Sequence, residues 1–94
     1  MKGLSSDEVS KALESVPGWS VDNNMLTRTF RFASFVEAVG FVNTAAALAE
    51  ELDHHPDIDI RYNVVYMALT SHDSAGLTEL DFRLASRISD VAGS

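Results

Sequence analysis

The chain contains no cysteine, which excludes disulfide bonds, thiolate nucleophiles and cysteine-based zinc or iron–sulfur sites. Basic residues are also scarce: seven lysines and arginines stand against fourteen acids, which gives a net charge of −7. Because phosphate binding depends on clustered basic side chains, we expect no direct contact with nucleic acid and no attachment to an anionic membrane. Any chemistry must come from histidine, carboxylate and hydroxyl side chains.

Long hydrophobic runs are absent too. No apolar run approaches the length of a transmembrane helix, and the N-terminal residues lack the apolar core of a signal peptide. We therefore expect a soluble, cytoplasmic protein. The 94 residues fit a single domain over 1–94, and a hydrophobic content of 46% is typical of a chain that folds.

Three segments begin with the Ser/Thr-x-x-Asp/Glu pattern of a helix capping box. In this motif a hydroxyl and a carboxylate accept hydrogen bonds from amides that the helix leaves unpaired. The hydroxyl residues are Ser5, Ser34 and Thr78. Each precedes a run with helical periodicity. The pattern predicts three helices, near residues 6–15, 35–53 and 79–91.

Alternation of apolar and polar residues predicts two β-hairpins. The first joins strands at 19–21 and 26–32 through the turn Asp22-Asn23-Asn24. The second follows Pro56 and has a tight turn near Tyr62-Asn63. The element order α-β-β-α-β-β-α predicts an α+β fold, in which three helices cover one face of a four-stranded antiparallel sheet.

The predicted middle helix carries two apolar stripes, whose centres lie roughly 110° apart at 100° per residue. The first consists of Phe35, Val39, Val42, Ala46 and Ala49, and the second of Phe41, Ala45, Leu48 and Leu52. One sheet cannot cover both stripes. We expect the second to be covered by a neighbouring helix or by another subunit, and we favour another subunit because the other two helices are short.

All three histidines lie in the second half of the chain, two of them adjacent at the end of the middle helix. His54 and His55 follow Glu50 and precede Pro56, and His72 follows the last predicted strand. Because Pro56 disfavours a helical conformation at His55, the two imidazoles can point in different directions and still reach one cleft. Acidic residues also crowd the negative end of the helix dipole here, and such unfavourable placement often marks function.

Ordinary structural roles for these residues stay open. His54 would be a favourable cap at a helix C-terminus, and His72 an ordinary loop residue. Asp81 completes the capping box that begins at Thr78. However, Asp81 shares a helical stripe with Leu84, which points its carboxylate inward, and a buried carboxylate needs a partner.

Metal binding is the main rival use of three histidines and several carboxylates. Adjacent histidines rarely bind one ion, and the sequence contains no His-x-His or His-x-x-x-His spacing, so no metal site is predicted. A serine nucleophile is not predicted either, because no segment resembles a nucleophile elbow.

The chain resembles the pterin-4a-carbinolamine dehydratase family. The likeness rests on the spacing of Glu50, His54-His55-Pro56, Tyr62, His72 and Asp81, which matches the family signature. Further family-like segments occur in the same order, from Gly18-Trp19 to Leu84-Ala85-Ser86, so the resemblance covers nearly the whole chain.

The resemblance implies the same fold, a homodimer or homotetramer, and an enzyme that uses no metal and no organic cofactor. The substrate would be the 4a-hydroxytetrahydropterin that aromatic amino acid hydroxylases release. Loss of water would give quinonoid dihydropterin, as part of tetrahydrobiopterin recycling. The alternative is a non-enzymatic dimerisation or assembly cofactor of the same fold, but such a protein has no need of the complete histidine and aspartate set.

The resemblance also implies the site. The catalytic residues would be His54, His55 and His72, and the substrate-binding residues would be Glu50, Pro56 and Asp81. Elimination requires a proton for the leaving oxygen and removal of one from a ring nitrogen, which imidazoles can perform at neutral pH. We expect His55 and His72 to exchange these protons, and His54, tied to Glu50, to position the substrate. Asp81 would orient an imidazole or hold the substrate edge.

Two residues depart from the family pattern. Ile58 stands where an aromatic residue is expected, and Leu80 stands where an arginine often precedes the aspartate. Both changes would weaken contacts with the pterin and alter affinity, while the proton-transfer groups stay intact.

Overall fold

The computed structural model describes residues 3–71 and 76–93. The elements are α1 (Ser6–Leu13), β1 (Ser20–Asp22), β2 (Met25–Arg31), α2 (Phe35–Leu52), β3 (Asp57–Arg61), β4 (Val64–Leu69) and α3 (Glu79–Ala92). The predicted α+β fold and its element order are confirmed, and the helix bounds lie within two residues of the predicted ones. Within the described ranges, no helix is long and apolar enough to cross a membrane.

The helices begin where the capping pattern predicts. Ser5, Ser34 and Thr78 each accept a hydrogen bond from an amide of the first helical turn. In return, the carboxylates of Glu8 and Asp81 accept from the cap amides, at 2.8 and 2.9 Å. These reciprocal bonds satisfy amides that have no partner within the helix. At α3 they also fix the position of Asp81.

The four strands form one antiparallel sheet in the order β1-β2-β4-β3. Both hairpins form at the predicted turns. Asn23 and Asn24 connect β1 to β2 with φ of 53° and 61°, and Tyr62 begins the turn between β3 and β4 with φ of 55°. Two successive positive φ values are characteristic of a type I′ turn, and asparagine adopts them more readily than most residues.

Aromatic side chains build the core between the sheet and the helices. Phe30 of β2 and Trp19 form a T-shaped pair, with ring centroids 5.9 Å apart. Phe41 of α2 lies 4.7 Å from Phe30 and 4.9 Å from Phe32, again between ring centroids. This packing holds the N-terminal half of α2 against β2.

The covering of α2 differs from the preferred prediction. Phe41, Ala45 and Leu48, of the stripe expected to need another subunit, are buried within the monomer. Phe35 and Ala46, of the other stripe, are exposed. The preference for a second subunit was wrong because elements of the same chain cover this stripe: Phe41 packs against Phe30 and Phe32, and α3 packs against α2. Helical periodicity gives the angle between two stripes, but it does not reveal which stripe faces the neighbouring elements.

Candidate active site

The site begins at the C-terminal end of α2. Asp53 has a left-handed conformation, with φ 49° and ψ 45°. Its N–H donates to the Glu50 carbonyl at 3.2 Å, and the N–H of His54 donates to the Ala49 carbonyl at 3.0 Å. Bonds of this kind satisfy the last carbonyls of a helix. The left-handed residue ends the helix, so the chain leaves it at His54 and continues through the partly buried Pro56 into β3.

His54 forms a buried pair with Asp81 of α3. Its Nε2 atom lies 2.5 Å from Oδ1 of Asp81, and the exposed fractions of the two side chains are 11% and 0%. A carboxylate only accepts hydrogen bonds, so Nε2 carries a proton. When the ring carries a single proton, Nδ1 is the nitrogen that accepts. Among the described residues, no buried side-chain nitrogen or oxygen lacks a partner, so Nδ1, which has no hydrogen bond, is not buried.

The second oxygen of Asp81 has two donors. Oδ2 accepts from the N–H of Thr78 at 2.9 Å and from the hydroxyl of Ser71 at 2.8 Å. With His54, three groups therefore fix this fully buried carboxylate. Its place in the first turn of α3 adds the favourable interaction of an acid with the positive end of a helix dipole. Asp81 is a rigid support for the His54 ring.

His55 has a different partner and a different environment. Its Nε2 atom lies 2.5 Å from Oε2 of Glu50, and the exposed fractions of these side chains are 56% and 77%. The expectation that Glu50 ties His54 is therefore wrong. After the left-handed turn the two neighbouring imidazoles diverge: His54 reaches α3, and His55 turns back to the surface of α2. Such an exposed pair contributes little to stability.

The remaining predicted residues fall into three groups. His72 lies outside the described residues, so its place at the site stays a prediction. Tyr62 and Ile58 are exposed, the first on the β3–β4 turn and the second on β3, and Leu80 is partly buried. Ser71 is a further member of the site that was not predicted from the sequence. Its position beside the predicted catalytic His72 was a signal, but nothing in the sequence pairs its hydroxyl with Asp81.

The comparison with protein families identifies the family of this chain. The family model described as pterin 4 alpha carbinolamine dehydratase matches residues 2–91. This chain belongs to that family. The match spans every element except the last residue of α3, and it includes His54 and Asp81.

Relatives in the family are similar over almost their full length. A Chloroflexus aurantiacus protein, provisionally named pterin-4-alpha-carbinolamine dehydratase, is 53% identical over 93 residues, which cover 99% of this chain and 100% of the relative. A Sulfolobus acidocaldarius protein with the same provisional name is 42% identical over 88 residues, with coverage of 94% and 97%. The resemblance seen in the sequence is thus confirmed.

Two solved structures show the same fold. A transcriptional coactivator/pterin dehydratase from Brucella melitensis matches with a TM-score of 0.93 and 39% identity, covering 97% of this chain and 99% of its own. A pterin dehydratase-like protein, identified as a RuBisCO assembly factor in the alpha-carboxysome, matches with a TM-score of 0.73 and 29% identity, covering 85% and 95%. Proteins named for an enzyme and for an assembly role therefore share this fold.

Proposed function

We propose that this protein is a dehydratase that eliminates water from a 4a-hydroxytetrahydropterin and releases the quinonoid dihydropterin. The observation that carries the proposal is the pairing of His54 with Asp81, in which a buried carboxylate orients an imidazole and leaves Nδ1 without a hydrogen-bond partner among the described residues. A carboxylate in this position fixes the tautomer of a histidine and stabilises its protonated form during proton transfer.

The proposed mechanism uses two imidazoles. Nδ1 of His54 accepts the proton from the ring nitrogen, and Asp81 stabilises the resulting imidazolium through the bond to Nε2. A second imidazole, from His55 or His72, donates a proton to the leaving hydroxyl group, so that the carbon–oxygen bond breaks and water departs. One group gains a proton and the other loses one, and exchange with solvent restores both. His54 thereby takes a proton-transfer role in place of the positioning role expected from the sequence.

The other predicted residues have supporting roles in this proposal. The exposed carboxylate of Glu50 orients His55, and Pro56 shapes the entrance between α2 and β3. The chemistry needs only side-chain proton transfer, so neither a metal ion nor an organic cofactor takes part. The reaction belongs to tetrahydrobiopterin recycling, after an aromatic amino acid hydroxylase. These assignments draw on the family and on the residues at the site.

A second candidate function is a non-enzymatic role in assembly. The observation that favours it is the structural likeness to a RuBisCO assembly factor. A scaffold requires an exposed surface but gains nothing from a partly accessible imidazole held by a buried acid. The pair of His54 and Asp81 therefore supports the enzyme over the scaffold.

The decisive experiment is a stopped-flow assay with chemically generated 4a-hydroxytetrahydropterin. We expect the protein to accelerate dehydration above the spontaneous rate and to stay active after exhaustive chelation. His54→Ala should lower kcat by roughly 10²–10⁴-fold, as expected for loss of a general acid or base. The control is Ser10→Ala, a substitution at an exposed position on α1. If the folded protein gives no acceleration, the enzyme proposal fails and the assembly role takes precedence.

A further inference from the structure

We propose that Ser71 is a positioning residue for this reaction, acting on His54 through Asp81. The inference rests on the proposed dehydratase function and extends it to a residue outside the family signature described above. Thr70 follows the end of β4, and Ser71 comes next in the chain. The Ser71 hydroxyl reaches the start of α3. It is therefore part of the support that determines where the His54 ring lies.

The direction of each hydrogen bond around Ser71 follows from counting protons. Oδ2 of Asp81 can only accept, so the Ser71 hydroxyl, 2.8 Å away, donates its single proton there. The Ser71 oxygen must then accept from the Thr78 hydroxyl, 3.0 Å away. The Thr78 oxygen accepts in turn from the N–H of Leu80 at 3.2 Å. The bonds form one directed chain from the α3 backbone to the carboxylate.

This series of hydrogen bonds ends at the Asp81 carboxylate, which holds His54. Without the Ser71 hydroxyl, the N–H of Thr78 would be the one donor left to Oδ2 of Asp81 among the residues that the structure describes. The carboxylate could then rotate about its terminal torsion, which has a broad energy minimum, and Oδ1 would no longer be held against Nε2 of His54. Because Asp81 and Thr78 are both fully buried, water does not readily replace the lost donor.

The test compares two substitutions of almost equal shape. Ser71→Thr keeps the hydroxyl, whereas Ser71→Val replaces it with a methyl group. We expect Ser71→Val to lower kcat by roughly three- to tenfold with little change in KM, the size expected for one buried hydrogen bond. Ser71→Thr should stay within about twofold of the wild type. The control is Ser86→Ala, at an exposed position on α3.

A second readout does not depend on activity. Nitrogen-15 NMR of the His54 ring should show one tautomer, protonated at Nε2, in the wild type and in Ser71→Thr. In Ser71→Val the two tautomers should mix. A serine that only stabilises the fold would not change this signature. His54→Ala identifies the signals, and if Ser71→Val fails to fold, Ser71→Ala takes its place.

Three results would overturn the proposal: wild-type kcat and tautomer in Ser71→Val, an equal loss in Ser71→Thr, or a further loss of kcat when Ser71→Val is added to His54→Ala. Failure of the dehydratase function has a different outcome. In that case the wild type does not accelerate dehydration, while the tautomer comparison still reports whether Ser71 positions His54.

Discussion

Asp81 serves the fold and the site through the two oxygens of one carboxylate. Oδ2 caps α3 and receives Ser71, while Oδ1 holds His54. The sequence pointed to both duties, because Asp81 completes a capping box and also lies on the inward stripe of α3. The structure joins them: the bonds that begin the helix also orient the imidazole.

Replacing Asp81 should therefore affect activity and stability together. Asp81→Asn keeps the size, but its amide presents a donor to one of the groups that now donate. We expect kcat to fall by at least roughly 10²-fold, and the free energy of unfolding to fall by about 1–3 kcal/mol. Stopped-flow assays and urea denaturation measure the two effects.

The matched control is Glu79→Gln, which removes an exposed acid from the same helical turn. Its kcat should be unchanged, and its stability should change by a few tenths of a kcal/mol through the helix dipole. If Asp81→Asn behaves like Glu79→Gln, the carboxylate does not support the imidazole.

At the scale of elements, the end of α2 combines two unfavourable features. Asp53 is a non-glycine residue with positive φ, and it places a negative charge next to Glu50 and Glu51 at the negative end of the helix dipole. The left-handed turn is what separates His54 from His55 and sends them to different partners. The turn that gives the site its geometry is therefore locally unfavourable for stability.

Glycine at this position should relieve both features. We expect Asp53→Gly to raise the free energy of unfolding by about 1 kcal/mol, because glycine adopts positive φ freely and carries no charge. Asp53→Asn separates the two effects, since it removes the charge and keeps a side chain. Urea denaturation provides the measurement. A decrease in stability on Asp53→Gly would mean that the Asp53 side chain stabilises the turn.

At the scale of the whole molecule, the assembly state remains a proposal. Since the stripe once assigned to a subunit is buried within the monomer, a homodimer or homotetramer would need another surface as its interface. We propose the β3 edge. Ile58 and Ile60 are 38% and 36% exposed there, although their register partners Met67 and Val65 are fully buried. An edge strand also offers backbone groups to a second copy.

A lysine on this edge should prevent pairing without unfolding the protein. We expect Ile60→Lys to sediment as a smaller species than the wild type, because a charge on an edge strand opposes association. Thr29→Lys, on the exposed face of β2, is the control and should keep the wild-type mass. If Ile60→Lys also keeps the wild-type mass, the β3 edge is not the interface. A monomeric wild type would contradict the assembly proposal itself.

The sequence by itself determined the features that depend on neighbours along the chain. A capping box joins residues three positions apart, and a two-residue turn joins adjacent strands, so helix starts and hairpins such as that at Asn23-Asn24 were predicted correctly. The family signature likewise identified His54 and Asp81 as members of one site. The capping boxes and the turns are local patterns, and local physics suffices to interpret them.

Only the tertiary structure decided which residues far apart in the sequence come into contact. The pairing of His54 with Asp81 joins residues 27 positions apart, whereas the sequence had led us to expect His54 to pair with Glu50. The bond from Ser71 to Asp81 depends on how β4 approaches α3. The cover of α2 also depends on how the helices pack. Periodicity fixes the directions of side chains about the axis of one helix or strand. Contacts between elements depend on how the axes of several elements lie relative to one another.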